Sequence, residues 1–141
     1  MASNTGSAHW SGGLKDGHGQ ISMGSGAFRD QPYGFNTRFE DAPGTNPEEM
    51  IAAAHAACFS MAFSMVLGQS DLKAESIDTD CKITLAQKDG GFAITKSHLT
   101  VRASVPGADE AKVREAAEGA KANCPVSKVL NAEITMDLTV A

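Results

Sequence analysis

Residues 50–70 read Met50-Ile51-Ala52-Ala53-Ala54-His55-Ala56-Ala57-Cys58-Phe59-Ser60-Met61-Ala62-Phe63-Ser64-Met65-Val66-Leu67-Gly68-Gln69-Ser70, 21 residues without Asp, Glu, Lys or Arg. A helix start stands just before them. Asn46 can cap, Pro47 suits the first helical position, and Glu49 completes an Asn-x-x-Glu capping box. Glu48 and Glu49 also favour the positive end of the helix dipole. The helix is expected to run to about residue 67 and to stop at Gly68. Its length permits a transmembrane span. Its alanines, three serines, histidine and glutamine, with no basic flank, argue instead for the buried central helix of a soluble domain.

The flanking segments read as strands and shorter helices. Downstream, residues 77–85 alternate, with Ile77, Thr79, Cys81, Ile83 and Leu85 on one face. Asp89-Gly90-Gly91 turns the chain into a second strand, 92–105, with Leu99, Val101, Ala103 and Val105 inward. A helix follows over 109–122 with Val113, Ala116, Ala117 and Ala120 as its apolar stripe. Cys124-Pro125 opens a short helix to about 130, and residues 132–140 alternate as a last strand. Upstream, 8–14 and 20–23 form a hairpin around Asp16-Gly17. Residues 33–39 alternate too, and predict a half-buried strand with Arg38 facing away from Tyr33, Phe35 and Phe39. The expected fold is α+β: an antiparallel sheet, the long central helix and a second helical segment, in one domain over residues 1–141.

Composition narrows the function. The chain carries 12 Lys+Arg against 17 Asp+Glu, a net charge of −5. With no basic run to neutralise phosphates, and 6% aromatics, nucleic acid is not an expected partner. Residues 1–7 are small and polar, without the basic and apolar regions of a secretory leader, so a cytoplasmic protein with no membrane partner is expected. Three cysteines, Cys58, Cys81 and Cys124, are not the even framework of a disulfide-stapled domain.

Each thiol therefore needs its own reading. Cys58, mid-helix, is either a small buried hydrophobe or a reactive group. Cys124 precedes Pro125 at a helix start, where backbone N–H groups favour a thiolate; it could equally serve as a weak cap. Cys81 reads as an inert packed thiol. Arg38 and Glu48 could form a surface ion pair of little worth, or a carboxylate-held guanidinium beside a thiolate. Glu48 and Cys58 are about 15 Å apart along an unbroken helix, a long reach for one Arg. His55 and Cys58, spaced i and i+3, could bind zinc with Cys124, although no C-x-x-C pair supports it. Otherwise His55 is a hydrogen-bonded core residue or tunes the thiol. A non-catalytic metal or small-ligand module using His55, Cys58 and Cys124 is thus the alternative to an enzyme. Met61 and Met65 could line an alkyl pocket.

Five runs carry a resemblance: Gln31-Pro32-Tyr33-Gly34-Phe35-Asn36-Thr37-Arg38-Phe39-Glu40, Gly44-Thr45-Asn46-Pro47-Glu48-Glu49, Ala53-Ala54-His55-Ala56-Ala57-Cys58-Phe59-Ser60, Gly91-Phe92-Ala93-Ile94-Thr95-Lys96 and Asn123-Cys124-Pro125-Val126-Ser127. Together they resemble the OsmC branch of the OsmC/Ohr family of thiol-dependent hydroperoxide reductases, from about residue 8 onward. The resemblance implies that Cys58 is the peroxidatic cysteine and Cys124 the resolving one. It also implies that Arg38 steadies the thiolate and that Glu48 pairs with Arg38. It implies an interlocked homodimer with two sites at its interface, an organic hydroperoxide substrate and an external dithiol reductant, of lipoyl type in the sister branch. No cofactor is implied, and Cys81 matches no motif of the family.

Overall fold

Residues 6–33 fold as an antiparallel meander. Strand β1 (Gly6–Ser11) pairs with β2 (His18–Met23), which pairs with β3 (Gln31–Tyr33). Gly19 sits opposite both Trp10 and Tyr33 in this register. A Cβ there would lie 2.5 Å from Tyr33 Cε1 and 2.7 Å from Trp10 Cε3. The missing side chain is what lets the two rings approach to 5.6 Å between centroids. The structure, a computed structural model, describes all residues from Met1 to Ala141. They form two compact units, Met1–Met50 and Ile51–Ala141.

The strand expected over 33–39 is not formed. Only Tyr33 belongs to β3, and Phe35–Phe39 is a short helix, α1. The cause is local. The Gly34 N–H donates to Thr37 Oγ1 at 3.0 Å, and that hydroxyl donates back to the Gly34 carbonyl at 3.1 Å. Phe35 and Phe39 are four residues apart, so they share a face in a helix as readily as in a strand; their rings pack at 4.9 Å. Arg38 does not face away from the aromatics. Its guanidinium carbon lies 5.4 Å from the centre of the Phe39 ring.

Helix α2 (Pro47–Gln69) starts as the sequence predicts. Asn46 Oδ1 accepts from the Glu49 N–H at 2.8 Å. The helix runs past Gly68 and is closed by Asp71, whose φ of 57° is left-handed, with the Leu72 N–H bonded to the Leu67 carbonyl at 2.9 Å. The 23-residue helix is long and apolar enough to cross a membrane, but 22% of its apolar window is buried in the chain. The buried stripe is His55, Phe59, Phe63 and Leu67, spaced i, i+4, i+8, i+12 and all inaccessible to solvent. Met61 and Met65 are 78% and 62% exposed on another face.

The second sheet has order β4-β5-β6. Strands β4 (Ser76–Lys88) and β5 (Gly91–Ser104) form a hairpin through Asp89-Gly90, both at positive φ (52° and 81°), as a tight primed turn needs. The chain then crosses over through α3 (Glu110–Asn123) and α4 (Pro125–Val129) to β6 (Glu133–Val140). β6 pairs with β5 in parallel. The sheet is therefore mixed, not wholly antiparallel, because two helices give the connection the length a parallel return requires. Leu99, Val101, Ala103 and Val105 pack with the α2 stripe and with Val113, Ala116, Ala117 and Ala120 of α3. Asp109 caps α3 by accepting from the Ala111 N–H at 3.0 Å.

Candidate active site

Arg38 and Glu48 meet in the first unit. The Arg38 Nε donates to Oε1 and Oε2 of Glu48 at 3.0 and 3.2 Å, and Nη2 donates to Oε1 at 2.6 Å. Glu48 is buried while the Arg38 side chain is 38% exposed. Asn46 holds the two elements in register: its Oδ1 caps α2, and its Nδ2 donates to the Thr37 carbonyl of α1 at 3.0 Å. The capping residue thus fixes the acid and the base in one stroke. Arg38 also edges a cleft of about 180 Å³ lined by Trp10, Leu14, Tyr33, Phe35 and Phe39. The alkyl pocket expected of Met61 and Met65 is not enclosed by them; both methionines are exposed.

Cys58 and Cys124 meet in the second unit, and both are free thiols. They are close enough for Cys124, and the Val126 N–H with it, to act on the ionisation of Cys58. Burial pushes the Cys58 thiol up from its ordinary value, the neighbouring Cys124 pushes the same way, and the Val126 N–H opposes them. Cys124 is almost fully buried. It caps α4, its sulfur accepting from the Ser127 N–H at 3.4 Å.

His55 is fully buried, and hydroxyls meet both of its ring nitrogens. Its Nδ1 contacts Ser97 Oγ at 2.6 Å and its Nε2 contacts Ser127 Oγ at 2.7 Å. Both ring nitrogens are thus spent on hydroxyls, and no group of three His, Cys, Asp or Glu is arranged to hold a metal ion. The zinc site of His55, Cys58 and Cys124 is not built. Ser127 Oγ lies 3.1 Å from Cys124 Sγ, and Ser97 Oγ lies 3.2 Å from Cys81 Sγ. Cys81 is therefore not merely packed: burial raises its thiol, and the Ser97 hydroxyl partly counters this.

The family model for OsmC-like proteins matches residues 39–139. The chain is 54% identical over 132 residues to the protein named peroxiredoxin OsmC from Escherichia coli K12, covering 94% of this chain and 92% of that protein. This chain belongs to the OsmC family. It is also 36% identical over 99 residues to an organic hydroperoxide resistance protein of Xanthomonas axonopodis, covering 70% and 68% of the two chains. The crystal structure of the organic hydroperoxide resistance protein OhrB of Bacillus subtilis superposes with a TM-score of 0.69 at 27% identity, covering 96% of this chain and 98% of that one.

Within this OsmC-family chain, sequence reasoning missed Ser97 and Ser127. Two signals pointed to them. Ser97 has the same parity on β5 as the inward Leu99, Val101 and Ala103, so it is a polar residue at a core position. Ser127 stands three residues after Cys124, on the first turn of the helix that Cys124 caps.

Proposed function

We propose that the chain is a cysteine-based thiol peroxidase that reduces organic hydroperoxides to alcohols. The observation that carries this reading is the pair of free thiols, Cys58 and Cys124, close enough for one to act on the ionisation of the other. The named activities of the family relatives support it. The Cys58 thiolate attacks the outer oxygen of the hydroperoxide. The O–O bond breaks, the sulfur becomes a sulfenic acid, and the departing alkoxide takes a proton and leaves as the alcohol. Cys124 then attacks the oxidised sulfur. The S–O bond breaks, a disulfide forms, and water leaves. An external dithiol, of lipoyl type by family resemblance, restores both thiols by exchange.

A half-buried thiol whose ionisation is opposed by its surroundings needs a cation to become a nucleophile. In this reading Arg38 supplies it, held in one orientation by the bidentate Glu48. The aromatic cleft beside Arg38 suits an apolar alkyl group, which favours organic hydroperoxides over hydrogen peroxide. The chain works as one domain in an interlocked cytoplasmic homodimer, with the exposed face of α2 around Met61 and Met65 covered by the second copy. A transient disulfide is compatible with that compartment.

The test is hydroperoxide consumption with excess dithiol. Cys58→Ser reduces turnover to background. Without dithiol, Cys124→Ser consumes one equivalent, accumulates the Cys58 sulfenic acid and forms no disulfide within the chain. Normal turnover by Cys58→Ser would sink the reading.

A further inference from the structure

A line of hydrogen bonds runs unbroken through residues 51–141 and joins two of the three thiols. It passes from Cys81 to Ser97, to His55, to Ser127 and to Cys124, with every step at 3.2 Å or less. Ser97 and His55 are inaccessible to solvent, and Cys124 is 1% exposed. Such a line conducts a proton only if each member can both give and receive one. Serine and cysteine can, and a neutral imidazole has one donor and one acceptor nitrogen.

Two directions are self-consistent. In the first, the Cys124 S–H points to Ser127 Oγ, the Ser127 O–H points to His55 Nε2, and His55 Nδ1–H points to Ser97 Oγ. In the second, the imidazole holds a proton on both nitrogens and the Ser127 O–H points to a Cys124 thiolate. Moving one proton from Cys124 to His55 converts the first into the second, with no rotation of heavy atoms.

We propose that His55, acting through Ser127, draws the proton from Cys124 as that sulfur closes on the oxidised Cys58. His55 is thus a positioning residue for disulfide formation. The inference rests on the peroxidase reading above. The step balances: the S–S bond forms, the Cys58 S–O bond breaks, and the departing hydroxide recovers the proton held by His55 and leaves as water. The hydroperoxide has already supplied the oxidation, so no further oxidant is needed. Burial lowers the basicity of His55, which keeps its resting state neutral and its Nε2 open to Ser127. The groups that face it are the Ser97 hydroxyl from β5, the Ser127 hydroxyl from α4 and the Cys81 thiol from β4 at 3.9 Å.

The experiment is a single-turnover reaction of the reduced full-length protein with tert-butyl hydroperoxide. Sulfenic acid on Cys58 and the Cys58–Cys124 disulfide are quantified separately by mass spectrometry after rapid quenching. In Ser127→Ala the ratio of the disulfide-closing rate to the peroxide rate falls about a hundredfold, the lower end of what a positioned base contributes. Its closing rate then climbs about tenfold per pH unit below the ionisation of a free thiol, whereas the natural protein shows a shallower rise. His55→Gln, which keeps a hydrogen-bonding side chain but cannot hold the proton, reproduces both changes. A ratio in Ser127→Ala within about twofold of the natural protein overturns the relay while leaving the peroxidase reading intact. Equal slowing of both steps also overturns it, by showing general damage. Absence of both Cys58 sulfenic acid and the Cys58–Cys124 disulfide in the natural protein overturns the peroxidase reading, and the relay with it.

Discussion

The Arg38–Glu48 pair and the Ser97–His55–Ser127 line solve the same problem, holding a functional group in one orientation, by opposite means. The first is charged, partly open to solvent and built from residues ten apart. The second is neutral and closed to solvent, and it brings together residues 42 and 72 apart. A charged pair open to water on one side gains modest net stability, because water competes for the guanidinium while the buried carboxylate depends on it. A buried neutral line is the reverse: each bond adds modestly, but removing one partner leaves hydroxyls that cannot reach water. The two arrangements should therefore fail differently when broken.

The largest effect is expected at His55. His55→Leu orphans the Ser97 and Ser127 hydroxyls together, and should lower unfolding free energy by about 2–5 kcal/mol in urea denaturation. A loss no greater than that of Arg38→Ala would erase the contrast.

Acid provides the second separation. Burial lowers the folded-state basicity of His55 below the ordinary 6.5, so below that value the unfolded chain binds the extra proton first. The His55 contribution to stability is fully present above pH 6.5 and is lost as pH falls toward the lowered folded value. Urea midpoints measured from pH 7.5 to 5 should fall, and the slope should flatten in His55→Gln. An identical slope in both proteins would mean that His55 is not the group responsible.

Arg38→Ala should cost about 1–2 kcal/mol in stability, since it leaves the buried Glu48 carboxylate without its partner while the exposed guanidinium side limits the loss, with a smaller deficit at high salt, where the natural pair is screened. Its larger consequence should be a slower peroxide step, read as sulfenic acid formation on Cys58. Asn46→Ala stands at the small end, at about 1 kcal/mol from the lost cap. It should slow the same step slightly, since Asn46 also ties α1 to α2. An Asn46→Ala protein with normal stability would show that the cap contributes nothing to this junction.

The contrast also marks what could be read from the chain alone. Asn46-Pro47-Glu48-Glu49 announces a helix start because capping is a matter of neighbouring residues, and the alternation of 77–83 and of 132–140 announces strands for the same reason. Cys58, Cys124, Arg38 and Glu48 could be singled out by their settings and by family resemblance. The segment 33–39 misled because Phe35 and Phe39 share a face in either geometry, and only the Thr37 hydroxyl, folded back on Gly34, decides for helix. The partners of His55 were out of reach in a different way. Nothing local says that a helix histidine will be met by a serine from β5 and another from α4; that is settled by the crossover that places β6 beside β5 in parallel.

That crossover has a consequence in time. Parallel neighbours cannot zip from a tight turn, so β6 docks only after the intervening chain has been gathered in, a closure whose entropy is lost before its contacts form. Cys124 rides on the connecting segment, between strands that must both be seated. A growing chain carries Cys58 on a helix that starts from its own cap, whereas the second thiol arrives with one of the last pieces to lock. On the proposed cycle, Cys58 oxidised before that moment would lack Cys124 to close upon.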